Sequence, residues 1–144
     1  MTDERAEAVR RLDALVGRWQ VIVEGDFAPE PVLGTMICEW QEGRFLVQRT
    51  EAEHADMPAS IVMIGVDDTN GAGTALYTDN RGVHRIYATS LADGVWRQSR
   101  EAPGFSQRFT GEFDGPDTIR GRWETCTDGQ TWAHDFNMTF VRQS

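Results

Sequence analysis

The chain has 144 residues, of which 40% are hydrophobic, and its 23 acidic and 14 basic side chains give a net charge of −9. This length suits one domain over residues 1–144 that buries about two-thirds of the surface of the unfolded chain. The negative charge argues against nucleic acid and anionic membranes as partners, and no apolar stretch is long enough to span a bilayer.

The first five residues include Asp3 and Glu4 and lack the basic and apolar regions of a signal peptide, so we expect a cytoplasmic protein. Two cysteines, Cys38 and Cys126, stand too far apart in the sequence for metal-ligand spacing. In a reducing compartment we expect them to be unpaired thiols, and no metal site is predicted.

The predicted elements begin with one short helix over residues 3–16, where apolar side chains recur at helical spacing before Gly17. From Trp19 onward, β-rich runs recur about every ten residues between clusters of Gly, Asp, Asn and Pro. Ten strands are predicted: 18–24, 33–41, 44–51, 60–67, 74–79, 83–91, 95–100, 105–113, 118–126 and 131–142. This pattern favours an all-β fold, a closed antiparallel up-and-down barrel with the helix at one end. Trp19 would plug that end, with Arg142 across its ring.

The length of each hairpin turn predicts which residues face one another. Two-residue turns at Asp93-Gly94 and Asp128-Gly129, a four-residue loop at 101–104 and a five-residue loop at 114–118 keep one face consistent. In this register Trp123 lies opposite His134, and the apolar face points inward. The predicted inward residues are Trp96, Phe105, Phe109, Phe113, Ile119, Trp123, Trp132, His134, Phe136, Met138 and Phe140.

The loops at 25–32, 52–59, 80–82, 101–104 and 127–130 fall at the end opposite the helix and predict the mouth of the barrel. Polar side chains converge there, which indicates a pocket for a small apolar or amphipathic molecule. Arg85 and Arg100 would clamp an anionic group of that ligand, or would instead pair at the rim with Asp79, Glu101 or solvent. The candidate ligand-binding residues are His134, Trp123, Trp96, Phe109, Gln98, Gln107, Arg85, Arg100, Tyr87 and Tyr77.

His134 is the strongest single candidate for a catalytic or ligand-binding role, because its imidazole is predicted to lie on a face that is otherwise apolar. Three interpretations are open: a hydrogen-bonded core residue, a general acid or base of a cyclase or isomerase, and a haem ligand. Tyr87 and Tyr77 are the other acid or base candidates. His84 is predicted to face outward, whereas His54 lies in a mouth loop. No cofactor other than this alternative haem is predicted.

Three segments carry a family resemblance: residues 12–19 (LDALVGRW), residues 77–83 (YTDNRGV), and residues 121–124 with 128–132 (GRWE and DGQTW). Together they resemble an uncharacterised bacterial family of lipocalin-like barrels, carried as a domain of unknown function. More distantly, the Gly-x-Trp start and the terminal Arg are similar to the calycins, which include the haem-binding nitrobindins.

The resemblance implies a calycin-like barrel with a small-molecule pocket and no settled activity. A nitrobindin-like role would place haem on His134. A filled barrel that binds a partner protein is the remaining alternative, and a homodimer is expected.

Overall fold

The computed structural model describes residues 3–143. Helix α1 (Asp3–Leu12) leads into a 3-10 turn (Asp13–Leu15). The strands are β1 (Gly17–Gly25), β2 (Val32–Gln41), β3 (Phe45–Ala52), β4 (Ser60–Val66), β5 (Gly73–Asp79), β6 (His84–Ala92), β7 (Val95–Arg100), β8 (Ser106–Phe113), β9 (Thr118–Cys126) and β10 (Ala133–Gln143). Every strand begins and ends within two residues of its predicted bounds. Among the described residues, no helix is long and apolar enough to cross a membrane.

All ten strands pair with their sequence neighbours in antiparallel fashion, and β1 also pairs with β10 to close the barrel. The predicted fold, an up-and-down barrel with one N-terminal helix, is confirmed. Closure leaves no unpaired strand edge within residues 3–143, so the barrel interior and the solvent-facing surface are separated by one continuous sheet.

The end of the barrel next to α1 is closed by Trp19, which has no exposed surface. Its indole N–H donates to the carbonyl oxygen of Leu15 at 2.9 Å, which ties the 3-10 turn to the first strand. The guanidinium carbon of Arg142 lies 4.1 Å from the centroid of the Trp19 ring. The plug therefore combines apolar burial, a hydrogen bond and a cation–π contact, as the sequence predicts.

Arg142 also joins β10 to two other segments of the chain. Its Nη2 donates to the carbonyl oxygens of Ala14 at 2.9 Å and Pro116 at 3.1 Å. Its Nη1 donates to the carbonyl oxygen of Val16, and its Nε donates to the carboxylate of Asp117 at 2.9 Å. A planar fork of several donors is needed to reach all of these acceptors.

Replacing Arg142 by lysine is therefore expected to destabilise the protein by about 1 to 2 kcal/mol although the charge is kept. One ammonium group cannot serve the carbonyls of two loops and the Asp117 carboxylate together. Urea unfolding followed by circular dichroism measures the loss. A lysine at the outward-facing Arg97 of β7 is the control, and an equal effect at both sites would contradict the prediction.

The β7–β8 loop differs from the prediction. Arg100 pairs with Gln107, two residues beyond the predicted partner Phe105. Phe105 lies in the loop rather than on the inner face, with the Arg85 guanidinium 5.4 Å above its ring centroid. Because strand side chains alternate, a shift of two residues leaves the rest of β8 facing inward as predicted.

The β9–β10 hairpin differs more. A β-bulge between His134 and Phe136 pairs Trp123 with Phe136, and His134 with the outward-facing Glu124. The predicted inward position of His134 is therefore wrong, because the extra residue of a bulge reverses the alternation of the strand on one side of it. Trp132 is also outside the barrel, where the Arg108 guanidinium stacks 4.1 Å from its ring centroid.

Candidate functional site

A cavity of about 310 Å³ occupies the barrel between the Trp19 plug and the loops at the opposite end. Its walls are largely apolar near the plug and polar near the mouth. The lining includes Val21, Val23, Met36, Val62, Trp96, Phe109, Trp123, Phe136, Met138 and Phe140, together with Met57 and Pro58 of the β3–β4 loop. Its volume lies at the lower end of the range of small-molecule pockets.

The aromatic wall of the cavity depends on two glycines. Gly111 and Gly121 pair across β8 and β9, and a Cβ at Gly121 would lie 2.5 Å from Cε1 of Phe109. The Phe109 ring therefore occupies space that any other residue would fill. From there it contacts Trp96 and Trp123, with ring centroids 4.9 Å and 5.2 Å away. The wall is a packed aromatic cluster on a continuous sheet.

A hydrogen-bonded group on β6 and β8 lies above this wall. The hydroxyl of Tyr87 donates to Oε1 of Gln107 at 2.8 Å, and Nη1 of Arg85 donates to the same oxygen at 3.2 Å. One N–H of the Arg85 guanidinium is therefore hydrogen-bonded to Gln107, and one face of the guanidinium packs on the Phe105 ring. Its other guanidinium donors remain available to the cavity.

A second group lies on β5 and the β5–β6 turn. The Tyr77 hydroxyl donates to Oδ2 of Asp79 at 2.8 Å, and Arg81 Nη2 donates to the same oxygen at 2.7 Å. The backbone N–H of Arg81 adds a bond to Oδ1 at 2.9 Å. Asp79 therefore pairs with Arg81 and not with Arg85, the pairing considered from the sequence. The Gly82 that follows has φ 84°, which lets the turn bring Arg81 back over the carboxylate.

These contacts determine which groups carry protons at neutral pH. Burial raises the pKa of Tyr77, and the neighbouring Asp79 carboxylate raises it further. Burial also raises the pKa of Tyr87. The Arg81 hydrogen bonds hold the pKa of Asp79 well below its usual range. Both phenols are therefore hydrogen-bond donors at the mouth, and Asp79 is an anion that is fully partnered.

The mouth carries charges of both signs, whereas the sequence predicted a cationic entrance. Arg81 and Arg85 line it, but so do Asp56 and Asp135. Asp135 is the exposed bulge residue of β10, and partial desolvation beside the barrel wall raises its pKa above the ordinary value for an aspartate. The bulge thus replaces the expected imidazole at the mouth with a carboxylate.

Eight of the ten candidate ligand-binding residues line the cavity. They are Trp96, Trp123, Phe109, Gln98, Gln107, Arg85, Tyr87 and Tyr77. Arg100 does not line it, and its Nη1 points to the carbonyl oxygen of Phe105 at 3.4 Å. His134 does not line it either.

The imidazole of His134 is exposed, and its Nε2 lies 2.8 Å from Oδ1 of Asn137 on the outer face. His54 packs edge-on against Phe27 in the mouth loops, with ring centroids 5.7 Å apart, and His84 is exposed. None of the three histidines lines the cavity. The residues present do not fit a haem held by His134.

Sequence reasoning missed six polar lining residues: Gln48, Thr50, Asp56, Ser60, Arg81 and Asp135. Gln48 follows from the alternation of β3, in which Leu46 and Thr50 share its inward face, so extending the register argument to the β2–β3 turn would have found it. Nothing in the sequence around Asp135 indicates the bulge.

Comparison with known proteins gives the fold. The structure is similar to that of Rv2717c from M. tuberculosis, with a TM-score of 0.68 at 15% identity over 95% of this chain and 98% of that one. It is also similar to the S-type phycobiliprotein lyase CPES from Guillardia theta, with a TM-score of 0.58 at 11% identity over 100% and 99% of the two chains. A de novo designed fluorescence-activating β-barrel has a TM-score of 0.50 at 12% identity over 99% and 100%.

No family model matches the sequence, and no curated protein matches it. Membership of the uncharacterised bacterial family therefore stays a prediction. At identities of 11 to 15% the similar structures show the fold alone, a β-barrel.

Proposed function

We propose that the barrel binds one small amphipathic molecule, with its apolar body against the aromatic wall and an anionic group at the mouth. The observation that carries this proposal is the cavity of about 310 Å³ between the Trp19 plug and the open end. At about 30 Å³ for each water-sized unit, it accommodates roughly ten to twelve non-hydrogen atoms of a ligand that extends into the mouth.

Arg85 is the residue proposed to bind the anionic group. It is half-buried, lines the cavity, and has guanidinium donors beyond the one that Gln107 accepts. Arg81 is less suited, because the Asp79 carboxylate already accepts two of its side-chain donors. A hydrogen bond to a charged group contributes about 1.5 to 3 kcal/mol, so this one contact would dominate the polar recognition.

A small carboxylate tests this proposal directly. We expect para-isopropylbenzoate to bind the purified protein in isothermal titration calorimetry and to change the fluorescence of the lining residues Trp96 and Trp123. Arg85→Gln should weaken this binding about tenfold, which corresponds to about 1.4 kcal/mol. The neutral analogue para-isopropylbenzyl alcohol should bind wild type and variant equally.

The matched control is Arg97→Gln, an exposed arginine on the outer face of the adjacent strand β7. It should leave both affinities unchanged. Equal weakening by the two variants would refute the role of Arg85 and point to long-range charge alone. Absence of heat and of fluorescence change with every probe would refute ligand binding itself.

A cyclase or isomerase is the second candidate, favoured by the Tyr87 and Tyr77 hydroxyls that line the cavity as protonated donors. Such an enzyme would use a phenol as general acid and would not involve His134. One structurally similar protein is named a lyase and another a fluorescence-activating barrel. The fold therefore favours neither an enzyme nor a binding protein. A homodimer and a cytoplasmic location also stay predictions.

A further inference from the structure

Two hydrogen-bond donor groups of the cavity lining keep an N–H without a partner among residues 3–143. They are Nε1 of Trp96 and Nε2 of Gln48, whose two N–H donors face at most the weakly accepting thiol of Cys38 across the β2–β3 pair. Both residues line the cavity, and their exposed fractions are only 3% and 2%. A buried donor without an acceptor is costly, so native proteins rarely keep one where nothing binds.

The two donors belong to well-separated walls of the barrel. Gln48 lies on β3 and Trp96 on β7, with β4, β5 and β6 between them on the shorter way around. Trp96 is also part of the deep aromatic cluster, with its ring centroid 5.8 Å from that of Phe140. The two side chains therefore border the cavity from two different walls.

Charge is distributed differently at the two ends of the cavity. The cationic lining residues, Arg81 and Arg85, are both at the mouth. The inner part presents the neutral donors of Gln48 and Trp96 within an apolar wall. An anion buried there would lose its hydration without a countercharge, whereas a neutral carbonyl oxygen has two lone pairs for two N–H donors.

We propose that the ligand carries a neutral hydrogen-bond acceptor, of the carbonyl class, at the end that enters the barrel first. Gln48 and Trp96 donate to this oxygen, and the anionic group remains at Arg85. The inference rests on the proposed binding function and adds the chemical class of the ligand. The ligand is a carboxylic acid of roughly ten to twelve non-hydrogen atoms with a second carbonyl group at its other end.

Two probes of equal size separate this inference from binding in general. Para-acetylbenzoate and para-isopropylbenzoate have nearly the same shape and the same carboxylate, and they differ in one carbonyl oxygen. A hydrogen bond contributes about 1 kcal/mol, or about fivefold in affinity. We expect wild type to bind para-acetylbenzoate at least fivefold more tightly than para-isopropylbenzoate in calorimetric titrations.

Two variants remove the donors: Gln48→Met keeps the length of the side chain, whereas Trp96→Phe also removes part of the aromatic wall. Each should reduce the preference for para-acetylbenzoate about fivefold, toward equal binding of the two probes. Because Gln48 and Trp96 both line the cavity, the readout is the ratio of the two affinities and not the affinity for para-isopropylbenzoate alone. Trp132→Phe, at a tryptophan on the outer face, is the control and should change neither affinity.

Unfolding of the ligand-free variants supplies a readout that does not depend on a probe. If the donors serve a ligand, Gln48→Met removes an unpartnered amide and the urea midpoint should stay equal or rise. A lower midpoint for Gln48→Met would indicate that Gln48 serves the fold, and would overturn its assignment to the ligand.

The outcomes are distinguishable from failure of the proposed function. If para-isopropylbenzoate binds wild type as tightly as para-acetylbenzoate does, or if a variant that carries both Gln48→Met and Trp96→Phe keeps the preference, the inner acceptor site is refuted and binding stands. If neither probe binds, the proposed function fails, and the inference fails with it.

Discussion

Replacing Trp19 by alanine is expected to lower the free energy of unfolding by about 3 to 5 kcal/mol. The side chain is fully buried, and its indole N–H holds the carbonyl oxygen of Leu15 at 2.9 Å. Removing it opens a hole beneath Arg142, which then loses its stacking surface. Domains of this size are stable by about 5 to 15 kcal/mol in total, so the variant will be close to unfolding at ambient temperature.

Urea unfolding followed by far-ultraviolet circular dichroism measures this loss without relying on tryptophan fluorescence. Trp132→Ala is the matched control, because Trp132 lies outside the barrel under Arg108 and should cost about 1 kcal/mol. A loss at position 19 no larger than that at position 132 would contradict the assignment of Trp19 as the plug of the barrel.

The second large effect is expected at the mouth, where Asp79→Asn should destabilise the protein by about 2 kcal/mol at neutral pH. The Asp79 side chain has no exposed surface and accepts hydrogen bonds from Tyr77 and from the Arg81 side chain. An asparagine turns one acceptor oxygen into an NH2 group, which faces donors. Because Arg81 itself is more than half exposed, solvent limits the penalty for its lost partner.

The pH dependence of this effect has a definite sign. The Arg81 hydrogen bonds depress the pKa of Asp79 in the folded protein. The unfolded chain therefore binds a proton first as the pH falls, and the stabilisation that is complete above about pH 5 declines through about pH 3. The difference in unfolding free energy between wild type and Asp79→Asn should narrow over this range.

Asp114→Asn is the control for both measurements. Asp114 pairs with Arg120 on the outer surface, where both side chains are about two-thirds exposed. It should change the stability by less than about 0.5 kcal/mol. A pH-independent difference between wild type and Asp79→Asn would contradict the assigned ionisation of Asp79.

Trp19 and Asp79 hold the two opposite ends of the cavity in place. Trp19 and Arg142 close one end, so the cavity has a floor formed by residues of the first and last strands. At the other end, Asp79 holds Arg81 and Tyr77, and Gln107 holds Tyr87. Polar groups fixed in this way lose little conformational entropy when a ligand arrives.

Much of this arrangement was predictable from local chemistry. Alternating apolar residues between turn-forming glycines and aspartates predict each strand to within two residues, because side chains of a strand alternate and turns need special backbone angles. The same alternation predicts the pairs Tyr77 with Arg85, Phe109 with Trp123 and Phe113 with Ile119. Lining residues such as Trp96 and Gln107 follow from that parity.

Loop length was harder to predict. The β7–β8 connection is longer than its turn residues suggest, since Arg100 pairs with Gln107. The predicted inner face of β8 is still correct, because a register shift of two residues preserves the alternation of the strand. The shift moved Phe105 into the loop against Arg85 and gave Gln98 and Trp96 the new partners Phe109 and Gly111.

The sequence by itself therefore determined the number of strands, the plug formed by Trp19 and Arg142, and most of the inner face. Tertiary structure alone decided the bulge in β10, which turns His134 to the outer face and brings Asp135 to the mouth. The physical reason is that alternation along a strand is a local property, whereas a bulge arises where β10 must pair with β9 and β1 at once. One extra residue there reverses which side chain faces the cavity, Asp135 instead of His134.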